Sequence, residues 1–204
     1  SEMCIRDSNI VIPARFGSTR LRGKALLPIA DKPLVAWVWE QAMQAGAEQA
    51  VVATDDERIA DEMTSRGAQV AMTRVDHASG TDRLAEVVDQ LGWRGDAIVV
   101  NVQGDEPLMP VSKIQRVAAM LSETAGADMA TLMEPLVLAE AEQQSAVKVV
   151  ASETGRALYF SRSAIPCHRK GGVPAPLFRH IGLYAYRADF LNTFVRWSAT
   201  AAEQ

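Results

Sequence analysis

Apolar residues fall along this chain in two alternating rhythms. Short runs of strand length recur at Ile10-Val11-Ile12, Ala50-Val51-Val52-Ala53 and Ala97-Ile98-Val99-Val100-Asn101-Val102. A run that is apolar at successive positions, rather than at every second one, predicts a strand buried on both faces. Between these runs, apolar residues three and four apart predict helices. One spans Leu34 to Ala45 and stops at Gly46; another spans Glu57 to Arg66, with Asp56 as its cap and Gly67 as its stop. Two more run from Thr81 to Leu91, ending at Gly92, and from Ser112 to about Ser122. Gln69 to Met72 and Met129 to Leu132 predict further short strands. Strands separated by helices of this length imply a mostly parallel sheet, right-handed crossovers and helices on both faces.

The rhythm changes in the second half. Val147 to Ala151, Ala157 to Phe160 and Ile181 to Tyr186 predict strands with little helix between them, and Cys167 to Pro176, rich in Gly, Pro and basic residues, predicts a loop. A smaller mixed lobe, or an antiparallel extension of the sheet, is expected there. Residues 1–8 are expected to be a non-native or disordered tail, because a polar stretch meets the strand at Asn9 with no turn signal. Residues 9–204 are expected to form a single domain. The 204 residues suffice for one domain, or for one with a small added lobe. A formal net charge of −4 disfavours a broad nucleic-acid-binding surface, while a local basic pocket for a small anion remains compatible with it. No apolar run is of bilayer-spanning length and no basic-then-apolar signal opens the sequence, so the expected compartment is the cytoplasm. Cys4 and Cys167 lack metal-ligand spacing and are expected to be two thiols rather than a disulfide.

In open parallel sheets, ligands sit beyond the carboxyl ends of the strands, here after Ile12, Ala53 and Val102. The first of these places holds Pro13-Ala14-Arg15-Phe16-Gly17-Ser18-Thr19-Arg20-Leu21-Arg22-Gly23-Lys24, a loop of small residues carrying four cations. Its backbone N–H groups can cradle phosphate oxygens and its arginines can grip them bidentately. It is not a Walker A loop, since the glycine spacing differs and Ala25 stands where Ser or Thr is needed, and it lacks the G-x-G-x-x-G of dinucleotide sites. The blander alternative is a basic surface loop. The third place holds Asn101-Val102-Gln103-Gly104-Asp105-Glu106-Pro107, where an apolar strand runs straight into two acids. A carboxylate there can hold Mg²⁺ against a triphosphate, or simply cap the next helix. Together the two loops provide positive charge and a metal-binding carboxylate at one sheet edge, which is what phosphoryl chemistry requires.

Several segments carry a resemblance to a known family. They are Pro13-Ala14-Arg15, Ser18-Thr19-Arg20-Leu21, Gly23-Lys24, Ala53-Thr54-Asp55, the run from Thr73 to Glu86, Asn101 to Pro107, Ala146 to Val150, Ala157 to Pro166 and Arg179 to Arg187. From about Asn9 to its end the sequence resembles the CMP-sugar synthetases, and among them those acting on the eight-carbon sugar acid 3-deoxy-manno-octulosonate (Kdo). The resemblance implies a Rossmann-like, GT-A-like nucleotidyltransferase fold: a three-layer α/β/α arrangement with a mostly parallel sheet and a smaller mixed extension. It implies CTP and Kdo as substrates, CMP-Kdo and pyrophosphate as products, Mg²⁺ as cofactor, a homodimer, and a place in the lipopolysaccharide biosynthesis of a Gram-negative bacterium. Carried over by position, Arg15, Ser18, Arg20 and Lys24 would hold the CTP phosphates, and Asp105 would bind Mg²⁺. Arg15, Lys24 and Asp105 would be the catalytic set. Gln103 would sit between nucleotide and sugar, and Ser79, Gly80 and Arg83 would lie by the cytosine and the sugar acid. Arg179 and His180 would face the sugar acid, although a lone histidine is often structural. Tyr184 and Tyr186 alternate on one strand face and are read as core or dimer contact; Trp37 and Trp39 are read as helix packing.

The sequence departs from the family pattern in three places. Arg22 stands where the family usually has Pro, which frees the backbone of the basic loop. The loop from Cys167 to Phe178 is short. Family members also continue past the position of Gln204 with a helix and an Asp-Thr-Pro-Glu-Asp-Leu stretch bearing a second metal ligand, so a C-terminal truncation is expected. The competing readings are a cytidylyltransferase for a sialic-acid-like or 8-amino sugar acid, and a CTP-binding module without turnover.

Overall fold

The computed structural model describes residues 7–17, 21–77, 79–167 and 175–198. The chain divides into two compact units, one of residues 1–130 and 183–204 and the other Thr131–Gly182.

The first unit follows the alternation of the sequence. Strand β1 (Ser8–Pro13) leads through a two-residue ladder, β2 (Pro28–Ile29) with β3 (Lys32–Pro33), into helix α1 (Leu34–Gln44). There follow β4 (Gln49–Thr54), α2 (Glu57–Ser65), β5 (Gln69–Met72), α3 (Gly80–Leu91), β6 (Ile98–Asn101) and α4 (Val111–Glu123). The sheet order is β5-β4-β1-β6, all parallel, with the second half of β10 (Phe178–Arg187) added antiparallel to β6. Val11 lies opposite Val51 on one side and Asn101 on the other, and Tyr184 lies opposite Asn101.

Ile10, Val11 and Ile12 are each 0% exposed, so both faces of β1 are covered, as its unbroken apolar run requires. On one face Val11, Val51 and Val99 pack with Leu84, Val87 and Val88 of α3, and with Ala188 and Leu191 of the last helix, α5 (Ala188–Phe194). Helices α1 and α4 pack against one another and against β4 and β6 respectively. The stop and start signals act as expected. The Asp56 side chain accepts from the Arg58 N–H at 3.0 Å at the head of α2, and Gly92 ends α3 in the left-handed conformation at φ 63°.

The bounds differ from expectation in a few places. β1 begins at Ser8, which is buried opposite Ile98, so the polar opening segment does not end before the strand. Helix α4 begins at Val111 rather than Ser112, with Pro110 extended just ahead of it and no side-chain cap. Strand β10 begins three residues before Ile181, because Arg179 and His180, polar in sequence, are paired within the second unit.

That unit is antiparallel. β8 (Lys148–Ala151) pairs with β9 (Ala157–Ser161) and, at Arg179↔Lys148, with the first half of β10; β7 (Met129–Pro135) also pairs with β10. Its apolar cluster is small: Leu136, Ala141 and Leu177 with Ala164 against them. Cys167 is exposed, while Cys4 and most of the predicted loop from Cys167 to Pro176 lie outside the described residues. No helix among the described residues is long and apolar enough to cross a membrane.

Candidate active site

The strand ends of the first unit deliver the site. β1 ends at Pro13, and Ala14 N–H donates to the Ala53 carbonyl at 2.8 Å. Just past β6, Val102 N–H donates to the Val11 carbonyl at 3.1 Å. The loops that follow leave the sheet side by side and touch at Gly104, where a Cβ would sit 2.6 Å from the Pro13 carbonyl oxygen. Only glycine permits that backbone approach.

Between these loops and the head of α3 lies a cavity of about 170 Å³ lined by Pro13, Ala14, Arg15, His77, Ser79, Gly80, Arg83 and Gln103. Five residues expected at a nucleotide site (Arg15, Ser79, Gly80, Arg83 and Gln103) thus meet around one space. Ser79 caps α3 in a capping box: its Oγ accepts from Asp82 N–H at 3.2 Å, and Asp82 accepts from Ser79 N–H at 2.8 Å. This fixes Gly80 and the first turn of α3 at the cavity wall. Arg83 is only 4% exposed, and its guanidinium is already committed. It donates to Thr73 Oγ1 and, at 2.9 Å, to Asp55 Oδ2 at the end of β4. Arg83 therefore ties α3 to the second strand end while presenting one side to the cavity.

A larger cavity, about 430 Å³, is lined by Arg74, Asp76, His77, Asp82, Ala85, Glu86, Asp89 and Val195. Four carboxylates make it unfavourable for a polyphosphate, and among the described residues neither Arg15, Lys24 nor Gln103 lines it, so size alone does not select it. His77 borders both cavities, nearly buried, with its Nε2 against Glu86. Burial pushes the Glu86 carboxyl up, but its bonds to His77 and Arg74 N–H outweigh this and hold it below the usual range. Sequence reasoning assigned no role to His77 or Glu86. The available signal was the charged pair Arg83 and Glu86, three residues apart on a helix whose neighbouring positions are apolar.

Lys24 and Asp105 come together outside the 170 Å³ cavity, with Nζ 2.8 Å from Oδ2 and both side chains well exposed. The basic loop and the acidic motif are thus adjacent, as their chemistry calls for. Beside Asp105, the Glu106 carboxyl is pushed up by burial and by the Asp105 charge. Among the described residues no cluster of three or more His, Cys, Asp or Glu gathers to enclose a metal. The donor set is one exposed carboxylate. That fits a magnesium ion held by one or two carboxylates and completed by phosphate and water oxygens.

Ser18 and Arg20 lie outside the described residues. Arg179 and His180 belong to the second unit. Arg179 pairs with Glu134 across β10 and β7. His180 Nε2 lies 2.8 Å from Thr131 Oγ1, which in turn lies 3.0 Å from the Ile181 carbonyl oxygen. The Phe160 ring packs edge-on at 5.0 Å, and burial lowers the His180 pKa below 6.5. In the first unit, Tyr184 and Tyr186 stack at 6.0 Å, with Tyr186 buried and its phenol pushed up to about 12 by that burial. Trp37 lies on α1, where its indole N–H donates to the Ile29 carbonyl at 2.9 Å.

Comparison with known proteins identifies the family to which this sequence and fold belong. The model of the cytidylyltransferase family matches residues 9–204. A 3-deoxy-manno-octulosonate cytidylyltransferase of Vibrio parahaemolyticus is 51% identical over 205 residues, covering 96% of this chain and 80% of the relative. One of Pseudomonas fluorescens is 53% identical over 197 residues, covering 92% and 78%. Among solved structures, a CMP:2-keto-3-deoxy-manno-octonic acid synthetase complexed with CTP matches with a TM-score of 0.90 and 41% identity, over 97% of this chain and 81% of that one. A cytidylyltransferase from Leptospira borgpetersenii, at 16% identity and a TM-score of 0.61 over 97% of this chain and 67% of its own, supports the fold alone. The architecture is that of a Rossmann-like nucleotidyltransferase. In sequence and in fold, this chain belongs to the cytidylyltransferase family, beside the 3-deoxy-manno-octulosonate enzymes it matches.

Proposed function

We propose that the protein transfers CMP from CTP to Kdo, giving CMP-Kdo and pyrophosphate, and so supplies activated sugar for lipopolysaccharide synthesis in the cytoplasm of a Gram-negative bacterium. The observation that carries this reading is the meeting of Lys24 with Asp105 at 2.8 Å, two residues along from Gln103 in the cavity wall. Cationic loop, carboxylate and the recess lined by Ser79, Gly80 and Arg83 converge at the strand ends. The relatives named above act on Kdo, and the matching solved structure holds CTP.

In this reading Arg15, Ser18, Arg20 and Lys24 hold the triphosphate, with Lys24 offsetting charge that builds on the departing pyrophosphate. Ser79, Gly80, Arg83 and Gln103 frame the nucleoside and the approach of the sugar, and Arg179 and His180 face the sugar acid. The anomeric oxygen of Kdo bonds to the α-phosphorus as the bond to pyrophosphate breaks and the hydroxyl proton passes to solvent, with no covalent enzyme intermediate. Asp105 holds Mg²⁺, which when bound neutralises charge on the phosphate oxygens. Residues 9–204 serve as one nucleotidyltransferase domain. A homodimer is supported by the exposed apolar run Leu158-Tyr159-Phe160 on β9.

The test is pyrophosphate release with CTP, Mg²⁺ and a panel of sugar acids. Release is expected with Kdo above the other acids, and Asp105→Ala is expected to lower it by a factor of about 100 or more, the scale of losing a transition-state charge stabiliser. A folded sample that neither releases pyrophosphate nor binds CTP in a calorimetric titration would sink the reading.

A further inference from the structure

Phe16 is the only aromatic residue in the sequence of the cationic loop between Pro13 and Lys24, and two arginine side chains pack on its ring. The Arg58 guanidinium lies over its ring, Cζ 3.4 Å from the centroid, and the Arg22 guanidinium lies at 5.6 Å. Gly23, at φ 72°, packs so close that a Cβ would sit 2.9 Å from Phe16 Cε2, and its N–H donates to the Phe16 carbonyl at 2.8 Å. Phe16 and Gly23 thus close the base of the loop immediately before Lys24.

Arg58 is itself held. Its Nε donates to Asp56 Oδ1 at 2.8 Å and a terminal nitrogen to Asp56 Oδ2 at 2.6 Å, a bidentate fork. Asp56 in turn receives the Arg58 backbone N–H at 3.0 Å, and its own N–H donates to Thr54 Oγ1 at 3.2 Å. Thr54 is 0% exposed at the end of β4. A continuous series of contacts therefore runs from a buried strand end, through Asp56 and Arg58, to the ring in the loop. It also answers an electrostatic difficulty. Arg15, Arg22 and Lys24 share one short loop, and their like charges repel one another. A guanidinium already neutralised by Asp56 can grip the ring through its face without adding to that repulsion.

We propose that Asp56, Arg58 and Phe16 form a stack that positions the cationic loop for the nucleotide phosphates, with Arg58 acting through Phe16 as a positioning residue and not as a phosphate ligand. This rests on the CTP-binding reading above. Losing the stack makes CTP bear the cost of fixing Arg15 and Lys24 beside it, so triphosphate binding weakens while recognition of the nucleoside does not.

The experiment is a calorimetric CTP titration of the wild type, Arg58→Ala, Phe16→Leu, the double variant and Phe16→Tyr. Ligand-observed NMR with cytidine alone is run on the same samples. Arg58→Ala and Phe16→Leu are each expected to weaken CTP about two- to fivefold, the scale of an exposed cation–π contact. The double variant is expected to be no weaker than the weaker single, Phe16→Tyr is expected to retain wild-type affinity, and cytidine affinity is expected to be unchanged throughout. The proposal is overturned if Phe16→Leu binds CTP like the wild type. It is equally overturned if the two losses add, since Arg58 would then meet the phosphates directly, or if cytidine weakens in parallel. A wild type that binds no CTP fails the functional reading instead, a result distinct from a wild type and variants that bind alike.

Discussion

The two units of the chain are held together in opposite ways. In the first, strands β1, β4 and β6 are apolar and covered on both faces, and polar groups collect where the strands end. In the second, the sheet is thinly covered. Leu158, Tyr159 and Phe160 are 62%, 65% and 42% exposed, while the largest fully buried side chain is a lysine. Lys148 is 0% exposed, and its Nζ donates to the carbonyls of Gln143 at 3.0 Å, Ala146 at 2.7 Å and Arg162. The first unit owes its cohesion to apolar area, which is non-directional and forgiving of similar shapes. The second owes much of its cohesion to one cationic head that satisfies three backbone acceptors, and no apolar residue can substitute for that.

The sharpest way to break this contrast is Lys148→Met, which keeps the stem and removes the donors. Three carbonyls lose a charged donor, at a cost of about 1.5–3 kcal/mol. Hydrogen exchange is expected to rise between Thr131 and Gly182 while β1, β4 and β6 stay protected; equal loss in both units would refute the division. A smaller effect is expected from Gly104→Ala in the first unit. The added Cβ meets the Pro13 carbonyl, a backbone atom that cannot swing away, and overpacking of this kind costs about 1–3 kcal/mol. A thermal melt should show that loss, with CTP affinity falling as the two loops part. The smallest effect concerns His180. Its folded-state pKa is depressed by burial, so as pH falls the unfolded chain takes up the proton first. Its contribution to stability is present above pH 6.5 and lost as pH falls through the folded-state value. An imidazole NMR titration midpoint at or above 6.5 would contradict the burial, and His180→Gln is expected to flatten that part of the stability profile.

The same contrast decides how much was legible in sequence. Runs such as Ile10-Val11-Ile12 and Val51-Val52 announce buried parallel strands, because burial on both faces leaves an unambiguous mark. Loop chemistry at the ends of β1 and β6 was legible for the same reason: charged residues stand out directly after such runs. Lys148 was not foreseen, since a lysine in a short strand reads as solvent-facing until three carbonyls are seen around its head. The opening of β10 was missed because Arg179 and His180 resemble loop residues, and only Glu134 and Thr131, some 45 to 50 positions earlier, make them strand residues. The Arg83–Asp55 and His77–Glu86 pairs were hidden likewise, being products of helix phase and tertiary closure rather than of local pattern.

The contact between Lys24 and Asp105 has a thermodynamic corollary. A cation and an anion that satisfy one another form a closed electrostatic switch, and a ligand that engages either partner frees the other. In the function proposed above, a polyanion that draws Lys24 away would bare the carboxylate for a divalent ion, and a divalent ion on Asp105 would release the ammonium for the polyanion. Linkage makes this assistance mutual and equal. Because both groups are well exposed, the coupling is worth about 1 kcal/mol or less, enough to favour joint occupancy by up to about fivefold over either ligand alone.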